Sequence, residues 1–300
     1  MRHYVPEATL SPRVVDRAQL KRLFGRSLWI GWTNLSQTIR YRIDIIIVGA
    51  VVGVRAAGVY GVGQLLFVAA DRFIRPLLTG FFPHSAELAA RNETGRLKAT
   101  MVAGTRITLA AAGPLCIAAI LLARPTLHAW VGSSVDGAQL VVVYLLSALL
   151  LGAISRAGLL VLQGSGRHRV VTVLVWTEAV LNLVLSIVLA RTVGLTGVAL
   201  ATLVSTATVS TAVGVPIMCR AFDISTTRFA LGVCRAHIPA IGAALLIAWL
   251  ISPARDAGSR VVIPAGAAMV FGYLLTLSLT DLSRNERRQL LAFARRPVRR

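Results

Sequence analysis

From residue 138 to residue 162 the chain reads AQLVVVYLLSALLLGAISRAGLLVL, twenty-five residues with one charge, Arg156. A helix of about 20 apolar residues is needed to cross the hydrocarbon core of a bilayer. Lipid offers no water to unpaired backbone groups, so such a stretch spans as a helix or not at all. Seven further stretches of this kind are read at roughly 28–52, 58–81, 104–123, 170–190, 196–218, 231–252 and 261–281. The expected fold is therefore all-α and integral to a membrane, a bundle of about eight transmembrane helices. Turn signals separate the stretches: Gly53, RPTLHAWVGSSVDG, QGSGRHR, RTVGLTG and SPARDAGS.

Composition agrees. The 300 residues are 56% hydrophobic and only 15% charged, yet the net charge is +20. In a soluble protein that balance points to nucleic acid. Here most cations fall between the apolar stretches, where they set membrane orientation and meet anionic headgroups. With the N-terminus in the cytosol, 22 Lys and Arg fall in cytosolic segments and five in outer loops. That asymmetry predicts both ends inside. Arg106 is counted in a cytosolic segment, and Trp130 is expected as an interfacial anchor in an outer loop.

Five cations remain inside the spans: Arg40, Arg42, Arg72, Arg75 and Arg156, with Asp44, Asp71 and Glu178. A first helix starting at Ile43 and ending near Gly53 would be about 16 Å long, too short to span. It must begin near Leu28, which puts Arg40 near the midplane. Thr33, Gln37, Arg40 and Asp44 then share one face, with Arg40 and Asp44 an i,i+4 pair. Arg42 points away and needs another partner, either Glu178 or a ligand anion. In the second span Tyr60, Gln64, Asp71 and Arg75 form a stripe, and Pro76 is expected to kink the helix. In the fifth, Glu178 and Asn182 are again i,i+4. A mid-membrane charge costs about 2.5–3.5 kcal/mol on insertion scales, so these groups should face a bundle interior or a wet cavity. Structural readings stand beside this one. Arg72 and Arg75 can snorkel to the headgroups, Arg40–Asp44 can be a plain ion pair, and Glu178–Asn182 can serve helix packing.

Other signals are weaker. Cys116, Cys219 and Cys234 show no metal or disulfide spacing. The five histidines are scattered, so neither metal nor cofactor is expected. GVALATLVSTATVSTAVG, residues 197–214, reads as a small-residue packing face. The polar N-terminus shows no cleavable signal peptide, and the basic tail suits headgroups rather than nucleic acid.

RYRIDIIIVGAVVGVRAAGVYGVGQLL resembles the start of the second half of bacterial polysaccharide flippases. These are the O-antigen and teichoic-acid exporters of the multidrug/oligosaccharidyl-lipid/polysaccharide exporter superfamily. Asp44, Gly49, Gly58 and Tyr60 carry the likeness. RPLLTGFFPHSAEL, WVGSSVDGA, VLQGSGRHR and EAVLNLVLSIVLARTVGLTGVALAT follow in order, the last with Glu178, Asn182, Gly194 and Gly197. The resemblance covers about residues 25–220. It implies a carrier, not an enzyme, that moves undecaprenyl-(pyro)phosphate-linked oligosaccharides to the outer leaflet by alternating access. Arg40, Arg42, Asp44 and Arg156 are the positions it puts in a central cavity. Gln37, Asp71, Arg75, Glu178 and Asn182 complete the candidate substrate-binding set. Such transporters have two six-helix lobes, whereas this chain is expected to hold one (27–220), after a polar cytosolic segment (1–26). Two added helices (221–282) and a basic tail (283–300) come after the lobe. The second lobe would come from a homodimer, a partner chain, or the rest of a longer transporter, the last being favoured. Glycan polymerase and glycosyltransferases are further expected partners, and the bacterial cytoplasmic membrane the expected location. Competing classes are a cation-coupled multidrug exporter of the same superfamily, a membrane-embedded glycosyltransferase or acyltransferase, and a non-transporting scaffold for glycan assembly.

Overall fold

The computed structural model describes residues 31, 43–132, 137–235, 237–251 and 259–280. Every element among them is helical. The helices are α1 (Ile43–Val52), α2 (Val54–Leu78), α3 (Phe81–Ala90), α4 (Thr94–Leu121), α5 (Ala123–Val131) and α6 (Ala138–Gly164). They continue as α7 (His168–Val193), α8 (Leu195–Ala221), α9 (Thr226–Cys234), α10 (His237–Leu250) and α11 (Ser259–Thr280).

Among the described residues, six segments are long and apolar enough to cross a membrane: α4, α6, α7, α8, the α9–α10 pair and α11. The second expected span, α2, has the length but carries Arg55, Asp71, Arg72 and Arg75. The first is described only over α1, a short apolar helix. Gly53 separates the two with φ +126°, a conformation that side chains rarely adopt.

Helix α6 is the axis, with α2, α3, α4 and α8 packed around it. Lipid gives apolar helices no hydrophobic reason to associate, so close van der Waals packing must do the work. Small residues on α6 allow that approach. A Cβ on Gly158 would collide with Met218 of α8, and Gly104 of α4 leaves the same kind of room for Phe81 of α3. Outward-facing Val173, Val180, Val184 and Val188 of α7 are left exposed, as a lipid-facing surface requires.

The α7–α8 pair is a tight hairpin. Gly194 ends α7 at φ +80°, and its N–H reaches the Ala190 carbonyl at 3.2 Å. Three residues on, a side chain at Gly197 would strike the Leu189 carbonyl. The glycines that carried the family resemblance thus make the hairpin possible.

Several expectations change. Helix α4 begins at Thr94 rather than near residue 104, and Arg106 lies well inside it. It is half-buried and donates to the Gly232 carbonyl of α9 at 2.8 Å. The RPTLHAWVGSSVDG stretch contains a helix, α5, rather than only a turn, with Trp130 exposed on it. Helix α2 runs through Pro76 to Leu78, and the Thr79 hydroxyl donates to the Pro76 carbonyl at 2.8 Å. The last two spans also hold a polar contact. His237 Nδ1 and the Tyr273 hydroxyl are hydrogen-bonded at 2.7 Å between α10 and α11. Gly113 of α4 makes space for that hydroxyl.

Candidate functional site

Among the described residues, three groups of polar side chains are built around acids inside the bundle. The first is built on Asp44 of α1. Its Oδ2 accepts from the Tyr60 hydroxyl of α2 at 3.2 Å and from the Thr202 hydroxyl of α8 at 3.0 Å. A carboxylate only accepts, so the Asn182 amide is oriented with its nitrogen toward Asp44 Oδ1, 3.3 Å away. The Asn182 oxygen then faces the Thr202 hydroxyl at 3.0 Å and the Thr202 N–H at 3.3 Å. Asp44, Tyr60, Asn182 and Thr202 are all buried. The cluster joins four helices, α1, α2, α7 and α8.

The second group is one turn deeper along the hairpin. Glu178 of α7 accepts from Thr206 at Oε1 (2.7 Å) and from Ser210 at Oε2 (2.6 Å). Each carboxylate oxygen thus has its own hydroxyl, which suits a buried acid that must be hydrogen-bonded. Both hydroxyls come from the π-helical stretch Thr206–Val213 of α8, a wider turn of the kind that is frequent at functional sites.

The third group lies toward the C-terminal end of α2. Asp71 of α2 takes Arg75 Nε on Oδ2 and Arg156 Nη1 of α6 on Oδ1, both at 2.5 Å. The exposures of the three side chains are unequal: 6% for Asp71, 20% for Arg156 and 61% for Arg75. Gly152 of α6 separates this group from the second. A Cβ there would lie 3.4 Å from the Thr206 methyl and 3.9 Å from Arg156 Nε.

Five of the candidate residues therefore partner one another or share partners across helices. Asp44 meets Asn182 and Thr202, while Asp71 gathers Arg75 and Arg156. Glu178 and Asn182 share a face of α7 but turn to different hydroxyls of α8. Gln37, Arg40 and Arg42, with the expected Arg40–Asp44 pair, lie outside the described residues. Among the described residues no group of three His, Cys, Asp or Glu is arranged to hold a metal.

A family model described as "Polysaccharide biosynthesis protein" matches residues 4–140. With the membrane-capable helices, this match supports a multi-pass membrane protein of polysaccharide biosynthesis. The matched stretch is under half of the chain. It includes Asp44, Tyr60, Asp71 and Arg75 and stops before Arg156, Glu178, Asn182 and Thr202. No curated protein and no solved structure matches the chain.

The hydroxyls are what the sequence did not announce. Residues 197–214 read as a small-residue packing face, and within it Thr202, Thr206 and Ser210 donate to the buried acids. A signal was present. Glu178 and Asn182 are four residues apart on one arm of a hairpin, and Thr202 and Thr206 are four apart on the other. Antiparallel helices joined at Gly194 bring Asn182 to Thr202 and Glu178 to Thr206.

Proposed function

We propose that the chain is a lipid-linked oligosaccharide flippase, or one lobe of one. It moves undecaprenyl-(pyro)phosphate-linked sugars across the bacterial cytoplasmic membrane during cell-surface polysaccharide synthesis. It does no covalent chemistry and needs no cofactor. A second lobe, from a longer chain, a partner or another copy, completes the path.

One observation carries this reading. Three acids and an arginine are held between helices most of which are long and apolar enough to cross a membrane. Each such charge is costly in a bilayer, and intramembrane ionisable groups mark substrate or ion pathways. The polysaccharide-biosynthesis match names the process such a pathway would serve.

A second reading has its own support. Asp44 is a buried carboxylate that accepts from Tyr60 of α2, Asn182 of α7 and Thr202 of α8, and an intramembrane acid is where an ion pathway would run. A cation-coupled exporter of the same superfamily would use such a point. A scaffold without transport would need neither.

The test is export of the cognate glycan in cells whose own copy is deleted. Arg40→Ala and Asp44→Ala are expected to abolish export while membrane insertion is unchanged. Undiminished export by both variants would remove the carrier role.

A further inference from the structure

We propose that the π-helical stretch of α8 is a register switch. Glu178 holds it open, and closing it into α-helix turns the end of α8 against α6. The switch rests on geometry and does not depend on the flippase reading.

Two π stretches occur among the described residues. Val48–Val52 ends α1, where the Gly53 N–H reaches the Val48 carbonyl at 3.0 Å, so it is the last turn of a helix. Thr206–Val213 has α-helix on both sides, Leu195–Ser205 and Gly214–Ala221. A π turn holds one residue more than an α turn, and inside a helix that residue is a surplus. The stretch reads TATVSTAV, in which alanine is the sole strong helix former. Just beyond it, Pro216 has no N–H to give the Ala212 carbonyl, so the ladder is one bond short. This joint is weak by composition and needs holding from outside.

Helix α7 supplies the hold. Glu178 takes Thr206 on one oxygen and Ser210 on the other, so a single carboxylate spans the wide turn. Helix α6 adds a long bond, from Thr211 Oγ1 to the Leu151 carbonyl at 3.4 Å. Thr208 shows the alternative open to these hydroxyls: it donates to the Val204 carbonyl of its own helix at 2.7 Å. Thr206 and Ser210 can bond back in the same way once the acid is gone.

The two ends of α8 are fixed by different means. Before the joint, Thr202 donates to Asp44, and Gly197 lies against the Leu189 carbonyl. After it, Met218 fills the notch left by Gly158 of α6. Giving up the surplus residue turns Gly214–Ala221 by about 100° and shifts it by about 1.5 Å. Met218 then leaves its notch and the buried Cys219 leaves its cover, while the start of α8 stays in place. The piece that turns lies at the end that the cation asymmetry puts in the cytosol, so the switch changes the face α8 shows to α6 there.

Cys219 is a native reporter of that turn. It is buried, as is Cys116 of α4, whereas Cys234 is exposed. The experiment uses the full chain with Cys234→Ser in nanodiscs. Alkylation of each remaining thiol by N-ethylmaleimide is followed by mass spectrometry. Minor states of two-state elements are populated at about 0.1–10%, so Glu178→Met is expected to speed alkylation of Cys219 about tenfold or more. Cys116 should stay slow. Deleting Ala212, an exposed residue of the stretch, removes the surplus. Combined with Glu178→Met, that deletion should return Cys219 to its slow rate. An unchanged Cys219 rate in a folded Glu178→Met chain overturns the switch. An equal rise at Cys116 means general loosening and overturns it too. So does an Ala212 deletion that unfolds the chain or leaves Cys219 fast, because no residue is then surplus. If Glu178→Met does not fold, Ser210→Ala removes one of the two bonds and decides instead. A smaller rise confined to Cys219 is expected, and no rise overturns the proposal.

Discussion

Thr206 donates to Glu178 at 2.7 Å, and the two residues stand opposite each other across the α7–α8 hairpin. Interhelical hydrogen bonds inside membranes are worth about 0.6 kcal/mol on average and about 1.7 at most. Thr206→Val is therefore expected to lower stability by about that much. In a double-mutant cycle with Glu178→Gln, read by reversible unfolding in detergent, the two changes should not be additive. Simple additivity would show that the pair is uncoupled.

Ser186 offers the reverse test. It lies one turn from Asn182 on the same buried face of α7, but its hydroxyl has no hydrogen-bond partner among the described residues. Its counterpart across the hairpin is Val198, whose side chain has none to give. A buried donor without a partner carries a desolvation penalty of about 1–3 kcal/mol. Ser186→Ala should leave the melting temperature unchanged or raise it, and a fall would mean that the hydroxyl has a role.

Gly158 and Met218 make a steric prediction. Gly158→Leu should cost about 1–3 kcal/mol or more, the range for overpacking a filled interior. Met218→Ala in the same chain should return part of that loss. Thermal unfolding of the single and double variants reads both effects.

Removing the Tyr60 hydroxyl separates the Asp44 cluster from packing. Tyr60→Phe keeps the ring in its fully buried place and deletes one donor to Asp44. Stability should fall by about 0.5–1.5 kcal/mol, while glycan export should fall by more than the loss of folded protein explains. Export that tracks folded protein one for one would assign Tyr60 a structural role.

His237 and Tyr273 hold the last two helices to each other beside α4. Tyr273→Phe should speed hydrogen exchange in residues 237–280 and leave α6–α8 unchanged. A uniform change over the chain would contradict local docking.

The sequence was informative where physics acts over short distances. Apolar length placed α6, α7, α8 and α11 to within a few residues, and i,i+4 spacing anticipated Asp71–Arg75. It was uninformative where a polar group is satisfied from another helix. Nothing near Asp71 in sequence points to Arg156, 85 residues away. Thr202 reaches Asp44 over 158 residues. Threonine and serine also occur in packing faces for their size alone, so residues 197–214 read as packing until the hairpin fixes which way they turn. Polar content misled elsewhere too. The start of α4 carries Arg96 and Lys98 and fell outside the apolar span read from residue 104, yet Arg and Lys are good helix formers.

The one-residue turn at Gly194 has a further consequence. Each residue added to or removed from either arm rotates the remainder of that helix by about 100°. A single insertion between Asn182 and Thr202 would therefore turn the hydroxyls of α8 away from both Asp44 and Glu178. Substitutions here can be graded, but changes of length cannot. The spacing from Glu178 to Ser210 behaves as a ruler, and the number of residues in it is as much a part of the site as their identity.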